Sequence, residues 1–217
     1  MPPDSPQRLL IVDDHPLFRK GVRYLVNMVN DFIIVGEASS GQEGIDLAME
    51  LEPDMILLDL NMRDMSGIEV LKTVKAGGSD TRVVMLTVSD QTDDLVTALR
   101  SGADGYLLKE MEPEDLVQKL AEAAAGQITL TERLITLLAH AMRHDAAHPA
   151  TPSEAGLTEQ EQRILELIAA GKSNKLVARA LGIAEGTVKV HVKHLLRKLG
   201  LRSRVEAAVW YVEQCGR

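Results

Sequence analysis

Four short apolar runs in the first half of the chain each end in a polar side chain. The runs and the residues that follow them are 9–12 with Asp13 and Asp14, 55–58 with Asp59, 83–86 with Thr87, and 105–108 with Lys109. Such runs are typical of parallel strands that are buried on both faces, because they lack the polar alternation of a half-exposed sheet. In an open parallel sheet, ligands bind beyond the carboxyl ends of the strands. We therefore expect three carboxylates, a hydroxyl and an ammonium to share one pocket.

Helical patterns alternate with apolar runs five times in the first part of the chain. These helical patterns begin near Pro16, Gly41, Gly67, Gln91 and Glu112. Strands that alternate with helices predict an α/β fold with a doubly wound, flavodoxin-like (βα)5 sheet in the strand order 2-1-3-4-5. This domain is predicted to cover residues 8–125.

Charge and composition separate a second domain from the first. Residues 157–217 carry a net charge of +5, whereas the remaining residues carry -13. A basic end on an acidic body predicts a polyanionic partner for the second domain. Between the two domains, residues 126–156 are predicted to form a linker, with a further helix over 131–143 and then a tether rich in proline and small residues.

Residues 157–217 show four helical patterns. Capping boxes at Thr158 and Ser203 open the first and the last of them. A short helix from Asn174 to Leu181, a tight turn and a helix to about Leu199 predict a helix-turn-helix at the centre of an all-α domain.

The cysteine content and the hydropathy pattern indicate where the protein resides. Cys215 is the only cysteine, so no internal disulfide is possible and a reducing compartment is expected. No stretch approaches the ~18 apolar residues of a membrane span. We expect a cytoplasmic protein with no membrane partner.

The polar residues at the strand ends predict phosphoryl chemistry. Three clustered carboxylates repel one another unless a cation intervenes, and Mg2+ accepts a few carboxylates while keeping other positions open. Asp59 is the better nucleophile, and Asp13 and Asp14 are better metal ligands; Thr87 and Lys109 would hold phosphoryl oxygens. The alternative is that each residue merely begins a loop, but five such residues at matched strand ends favour a site.

These motifs resemble those of a two-component receiver domain. The segments that carry the resemblance are Val12-Asp13-Asp14-His15 and Leu58-Asp59-Leu60-Asn61-Met62, together with Thr87 and Lys109. The resemblance implies that a phosphohistidine on a sensor histidine kinase phosphorylates Asp59. It also implies that Asp14, Asp59 and the backbone carbonyl of Asn61 hold Mg2+, with Asp13 assisting through water. Thr87 and Tyr106 correspond to the switch pair of the family.

The chain departs from the family pattern at the loop after the acceptor. Arg63 and Asp64 follow Met62, where receivers of this kind usually have Pro-Gly. This change predicts a less rigid and more charged loop beside the pocket.

The third helix of the basic domain carries a ridge of cations. Lys189, Lys193 and Arg197 are spaced four residues apart, with Val190 beside them. A separate stripe on this helix is predicted to be buried; it consists of Val188, Val192, Leu195, Leu196 and Leu199. The cationic ridge fits the major groove of DNA, since lysines reach guanine edges or phosphates and valine contacts thymine methyl groups. A solvated face is the alternative, but the short helix and turn before it favour recognition.

The segments 172–175, 187–194 and 203–208 resemble the LuxR-type helix-turn-helix of NarL/FixJ-family response regulators. Carried over position by position, the resemblance makes Lys189, Val190 and Lys193 the base readers. The expected phosphate contacts are Lys172, Asn174, Lys175, Thr187 and Arg197. Ala184 departs from the family pattern, because relatives have Ser or Thr there to cap the recognition helix.

The combined resemblance implies a transcription factor and not a turnover enzyme. In the implied mechanism, the receiver covers the recognition helix until Asp59 is phosphorylated, and release allows homodimerisation through the last helix and binding of double-stranded DNA. The likeness to nitrate/nitrite regulators implies control of nitrate- or nitrite-responsive or anaerobic respiration genes. One alternative is a Mg2+-dependent aspartyl-phosphate phosphohydrolase, for which Asn61 stands where a second acid is needed. Another is a constitutive DNA-binding protein with an inert receiver-like module.

Overall fold

The apolar runs of the sequence form a five-stranded sheet. The computed structural model describes residues 6–76, 81–88, 92–125 and 151–215, together with residues 127, 129, 135, 136 and 138. The strands are β1 (Gln7–Val12), β2 (Phe32–Ala38), β3 (Met55–Asp59), β4 (Arg82–Thr87) and β5 (Gly105–Leu108). They are paired in parallel in the order β2-β1-β3-β4-β5. The predicted fold class and strand order are confirmed.

Five helices cover both faces of the sheet. They are α1 (Pro16–Val26), α2 (Gly41–Leu51), α3 (Gly67–Ala76), α4 (Thr92–Arg100) and α5 (Pro113–Ala124). Alternate residues of each strand point to opposite faces. Accordingly, Leu9 and Ile11 of β1 belong to a buried cluster with α1 and α5. Leu10 and Val12 belong to a second cluster, which includes residues of α2, α3 and α4.

The C-terminal domain consists of helices, as predicted. They are α6 (Glu159–Ala169), α7 (Asn174–Leu181), α8 (Glu185–Leu199) and α9 (Arg204–Cys215). Both predicted capping boxes form: Thr158 and Glu161 exchange hydrogen bonds at the start of α6, and Ser203 and Glu206 do so at the start of α9. The turn between α7 and α8 begins at Gly182, whose φ of 67° favours glycine. A helix-turn-helix therefore lies at the centre of this domain.

Most of the predicted linker, and with it most of the helix predicted over 131–143, lies outside the described residues. Among the described residues, no helix is both long enough and apolar enough to cross a bilayer.

Helix α9 joins the two domains. Its residues 205–210 are all buried, which fits a helix that has apolar residues on more than one side. It packs against α6 and also contacts α4. Leu99 of α4 and Trp210 of α9 belong to one continuous hydrophobic cluster. At the edge of this contact, Arg100 Nε lies 3.2 Å from Glu206 Oε1.

Candidate functional site

The predicted pocket forms at the carboxyl end of the sheet. Lys109 Nζ lies 2.8 Å from Asp13 Oδ2 and 2.8 Å from Asp59 Oδ2, so one ammonium pairs with two carboxylates. The same ammonium lies 4.9 Å from the centroid of the Phe18 ring on α1. The ring favours a cation above its face, so it helps to hold Lys109 in place. The structure thus brings together groups from β1, β3 and the end of β5.

The environment of Asp59 disfavours its charge. Burial raises the pKa of Asp59, because water no longer solvates the carboxylate, and the nearby Asp13 raises the pKa further. The Lys109 ammonium and the Asn61 backbone N–H, which donates to Asp59 Oδ1 over 3.2 Å, oppose this shift without cancelling it. Any positive charge added near Asp59 therefore stabilises its ionised form.

The pocket holds more negative charge than Lys109 neutralises. Asp13 Oδ2, Asp14 Oδ1 and Asp59 Oδ2 are buried, and none accepts a hydrogen bond of good geometry from the described residues. Buried carboxylate oxygens of this kind are stabilised by a cation. The donor atoms of Asp13, Asp14, His15 and Asp59 all lie within 4.8 Å of one another. This oxygen-rich set fits a hard divalent cation, and His15 was not predicted to be part of it.

The predicted switch residues lie beside the acceptor. Thr87 is fully buried at the end of β4, and Asn61 Nδ2 lies 3.5 Å from its hydroxyl oxygen. The backbone N–H of Lys109 donates to the Thr87 carbonyl over 2.7 Å. Tyr106 on the neighbouring strand β5 is fully buried, with its ring inside the core. The Thr87 hydroxyl therefore lies beside Asn61 at the edge of the pocket.

The charged loop after the acceptor has partners that the sequence did not reveal. Asp64 accepts hydrogen bonds from the Gly41 N–H at the start of α2, at 2.9 and 3.1 Å, and these lower the pKa of Asp64. Arg63 Nε lies 3.5 Å from Asp14 Oδ2 although its side chain is 91% exposed. The loop lacks the proline that would make it rigid, but its hydrogen bonds to the start of α2 restrain it.

Gly67 also went unpredicted as a site residue. A Cβ on Gly67 would lie 2.1 Å from the backbone oxygen of Asp59, which is an impossible distance. Its N–H donates to the Leu60 carbonyl over 2.9 Å. Glycine is therefore required where α3 begins, because the chain returns directly against the acceptor.

The helix-turn-helix presents its predicted DNA-contacting residues at the surface. Val190 is 53% exposed, which is unusual for an apolar side chain between cations. Lys189 and Asn174 are half-buried. The other predicted contacts are exposed; they are Lys172, Lys175, Thr187, Lys193 and Arg197. In the predicted buried stripe, Val188, Leu195 and Leu199 are buried, whereas Val192 and Leu196 are half-buried.

The start of the recognition helix α8 is weakly capped. Ala184 is its N-cap residue and has no side-chain acceptor for the free N–H groups of the first turn. The Ala184 carbonyl does accept from the backbone N–H groups of Thr187 and Val188, at 3.0 and 3.2 Å. The departure noted in the sequence is thus a missing side-chain cap on an otherwise regular helix.

Comparison with known proteins decides the family. Residues 9–121 match the family model of the response regulator receiver domain. Residues 155–211 match that of the bacterial regulatory proteins of the luxR family. The chain belongs to the NarL/FixJ family of response regulators.

This response regulator is similar to regulators of known name along almost its whole length. It is 52% identical over 207 residues to the nitrate/nitrite response regulator protein NarL of Escherichia coli K12, with 95% of each chain covered. It is 42% identical over 216 residues to NarP of the same organism, covering 100% of this chain and 99% of NarP. Its fold matches the receiver domain of a Mycobacterium tuberculosis NarL at 33% identity and a TM-score of 0.55, covering 57% of this chain and 99% of that one.

In the described part of this response regulator, the outer face of α8 is exposed to solvent. Val190 and Lys193 of α8 are exposed, and the receiver contacts the DNA-binding domain through α9. The prediction that the receiver keeps DNA from the recognition helix stays a prediction, because the exposure of single side chains does not measure the room left for a duplex. The contact at α9 has a physical reason: the outer face of α8 is cationic and favours water, whereas α9 is stabilised by burial of its apolar residues against α4.

Proposed function

We propose that Asp59 is the phosphoryl acceptor of this response regulator and that a sensor histidine kinase is the donor. The supporting observation is the position of the Asp59 carboxylate at the end of β3, 2.8 Å from Lys109 Nζ. An Asp59 oxygen attacks phosphorus, and a new O–P bond forms while the N–P bond to the donor imidazole breaks. Lys109 and Thr87 hold phosphoryl oxygens during the transfer, which stabilises the charge that they carry.

Mg2+ is part of this proposal. Asp14, Asp59 and the backbone carbonyl of Asn61 would hold the ion, and Asp13 would assist through water. Such a site is supported by the three carboxylates of Asp13, Asp14 and Asp59, which carry more negative charge than the one buried ammonium of Lys109 balances. When bound, the cation supplies positive charge opposite the phosphoryl oxygens.

The signal is proposed to leave the pocket through Thr87 and Tyr106. The Thr87 hydroxyl moves to the phosphoryl group, and the Tyr106 ring, which is fully buried here, accommodates that movement. Helix α4 begins five residues after Thr87 and ends at Arg100, which pairs with Glu206 of α9. A shift of α4 therefore weakens the contact with the DNA-binding domain.

The output is proposed to be sequence-specific binding of double-stranded DNA. Lys189, Val190 and Lys193 read bases, and the surrounding side chains bind phosphates; these are Lys172, Asn174, Lys175, Thr187 and Arg197. The exposure of most of these side chains on α7 and α8 supports this assignment. Because the described contact between the receiver and this domain lies on α9, we infer that phosphorylation acts through α9.

Release of α9 from α4 is proposed to allow homodimerisation through α9. A change in population from 1:99 to 99:1 requires about 5.5 kcal/mol of differential stabilisation. One phosphoryl group supplies only part of this free energy, and dimerisation and DNA binding contribute the remainder. The resemblance to NarL and NarP supports target genes that respond to nitrate or nitrite, or that serve anaerobic respiration. It also supports a cytoplasmic location for this protein.

The test combines mass spectrometry with DNA binding. Acetyl phosphate and Mg2+ should add the mass of one phosphoryl group to the wild type and nothing to Asp59→Asn. Genome-wide occupancy should then show sites at which the wild type exceeds the variant. Equal occupancy would support constitutive DNA binding, and steady turnover of a small phosphate ester that depends on Asp59 would support the phosphohydrolase.

A further inference from the structure

His15 occupies an unusual place at the edge of the pocket. It is the N-cap residue of α1, with φ of -93° and ψ of 105°, and its ring makes no capping hydrogen bond within the described chain. Ser, Thr, Asp and Asn are the usual N-cap residues, because their side-chain oxygens accept from the helix. The next residue, Pro16, begins the helix without an N–H. The His15 side chain is therefore not needed by the helix and is available to the pocket.

The imidazole of His15 faces the carboxylates. Nδ1 lies 2.9 Å from Asp14 Oδ1, 3.3 Å from Asp13 Oδ1 and 3.7 Å from Asp59 Oδ2. Lys109 contacts the other oxygen of Asp13, Oδ2. His15 and Lys109 thus approach different oxygens of Asp13, whereas at Asp59 both face Oδ2, with Lys109 at 2.8 Å and His15 at 3.7 Å.

These separations fit ligands that share one metal ion. In an octahedral complex with metal–oxygen distances of about 2.1 Å, adjacent ligand atoms are about 3 Å apart. The 2.9 Å distance from Nδ1 to Oδ1 of Asp14, a proposed direct ligand, is close to this value. Independently, the Asp14 side chain is 91% buried, since its exposed fraction is 9%, and its Oδ1 lacks a hydrogen bond from the described residues.

We propose that His15 Nδ1 is a direct ligand of the divalent cation in this receiver. This inference rests on the proposed cation site and adds a nitrogen to its oxygen ligands. Imidazole binds transition ions well, whereas Mg2+ prefers oxygen. With the imidazole as a ligand, the preference of the pocket for Mn2+ or a later first-row ion over Mg2+ is therefore larger than it would be with carboxylate ligands alone.

Pulsed electron paramagnetic resonance of the Mn2+-loaded full-length protein tests this ligand directly. The wild type should show coupling of the electron spin to an imidazole nitrogen, and His15→Gln should lose it. His194→Gln, which changes an exposed histidine on α8, is the matched control and should keep it. Coupling that persists in His15→Gln, or that is absent from Mn2+-loaded wild type, would overturn the proposal.

Calorimetric titration gives a second readout. His15→Gln should weaken Mn2+ binding about ten-fold, the range in which a supporting ligand contact acts, and leave Mg2+ binding near the wild-type value. Equal weakening for both ions would mean that His15 supports the pocket and is not a ligand. If the wild type binds neither ion, the proposed cation site itself fails. If the wild type binds Mn2+ without nitrogen coupling, the role of His15 alone fails.

Discussion

Arg100 Nε lies 3.2 Å from Glu206 Oε1 and joins the last turn of α4 in the receiver to the first turn of α9 in the DNA-binding domain. The two residues are 106 positions apart in the sequence. The Glu206 carboxylate also accepts hydrogen bonds from the backbone N–H groups of Arg202 and Ser203, where α9 begins. The receiver therefore contacts the acid that holds the start of α9.

Arg100→Gln should raise the DNA affinity of the unphosphorylated protein. Loss of a partly buried ion pair costs the closed arrangement about 1 kcal/mol, which corresponds to about a five-fold tighter apparent Kd. Arg100 is the better residue to change, because Glu206 also caps α9. Fluorescence anisotropy with a labelled duplex at fixed salt measures the effect. Lys72→Gln removes the same charge from the exposed face of α3 and should leave the affinity unchanged. An unaltered Kd for Arg100→Gln would remove this pair from the mechanism.

Asp59→Asn should increase the free energy of unfolding at neutral pH, besides blocking phosphorylation. Burial raises the pKa of Asp59 in the folded state, so the ionised form is disfavoured there. Below the unfolded pKa of about 3.9 both states are protonated and the penalty is absent. The penalty builds up as the pH rises from the unfolded pKa towards the raised folded pKa, and it is complete above the folded pKa.

Denaturant unfolding of the wild type and Asp59→Asn at several pH values measures this difference. The difference should be smallest in acid and largest at neutral pH. Added Mg2+ should stabilise the wild type more than the variant, because the variant lacks one carboxylate ligand. A wild type that is more stable than the variant at neutral pH without Mg2+ would contradict the prediction.

The fold and the pocket could be predicted because both depend on short-range patterns. The runs that end at Asp59, Thr87 and Lys109 determine buried parallel strands, and strand polarity alone brings their ends together. The position of the His15 ring and the hydrogen bonds that the Gly41 N–H donates to Asp64 depend on loop conformations, which no periodicity encodes. The contact of α4 with α9 depends on two surfaces meeting across the linker. There the described contact lies on α9, whereas the family resemblance points to α8.

Glu161→Gln should destabilise the DNA-binding domain by about 1 kcal/mol, as expected for loss of the partly buried ion pair with Lys198, while the glutamine amide can still complete the capping box. Glu161 is buried, and burial acts to raise its pKa, but hydrogen bonds from Lys198 and Thr158 outweigh burial and hold the pKa below its ordinary value. The stabilisation is present above the unfolded pKa of about 4.3 and is lost as the pH falls through the folded pKa.

Unfolding followed by the fluorescence of Trp210, the only tryptophan of the chain, measures this effect. The difference between the wild type and Glu161→Gln should shrink as the pH is lowered. Glu166→Gln changes an exposed acid on the same helix and should have little effect. If Glu161→Gln is no less stable than Glu166→Gln at neutral pH, the ion pair with Lys198 does not stabilise the domain.

Ala184→Ser should stabilise the start of the recognition helix. A serine hydroxyl at the N-cap accepts from a free N–H of the first turn, which contributes about 1 kcal/mol. Ala184 is exposed and its backbone is already extended, with φ of -70° and ψ of 147°, so serine fits without rearrangement. Thermal unfolding of the domain, followed by Trp210 fluorescence, should show a higher Tm. Ala180→Ser, at an exposed position within α7, is the control and should lower the Tm or leave it unchanged.

Lys175→Gln should reduce the salt dependence of DNA binding. Each cation that contacts a phosphate releases counterions, and the slope of log affinity against log salt falls by about 1 when one such contact is lost. Lys175 is exposed on α7 and is one of the proposed phosphate contacts. Lys20→Gln removes an exposed charge from α1 and should leave the slope unchanged. If the slope for Lys175→Gln equals that of the wild type on a non-specific duplex, Lys175 makes no phosphate contact.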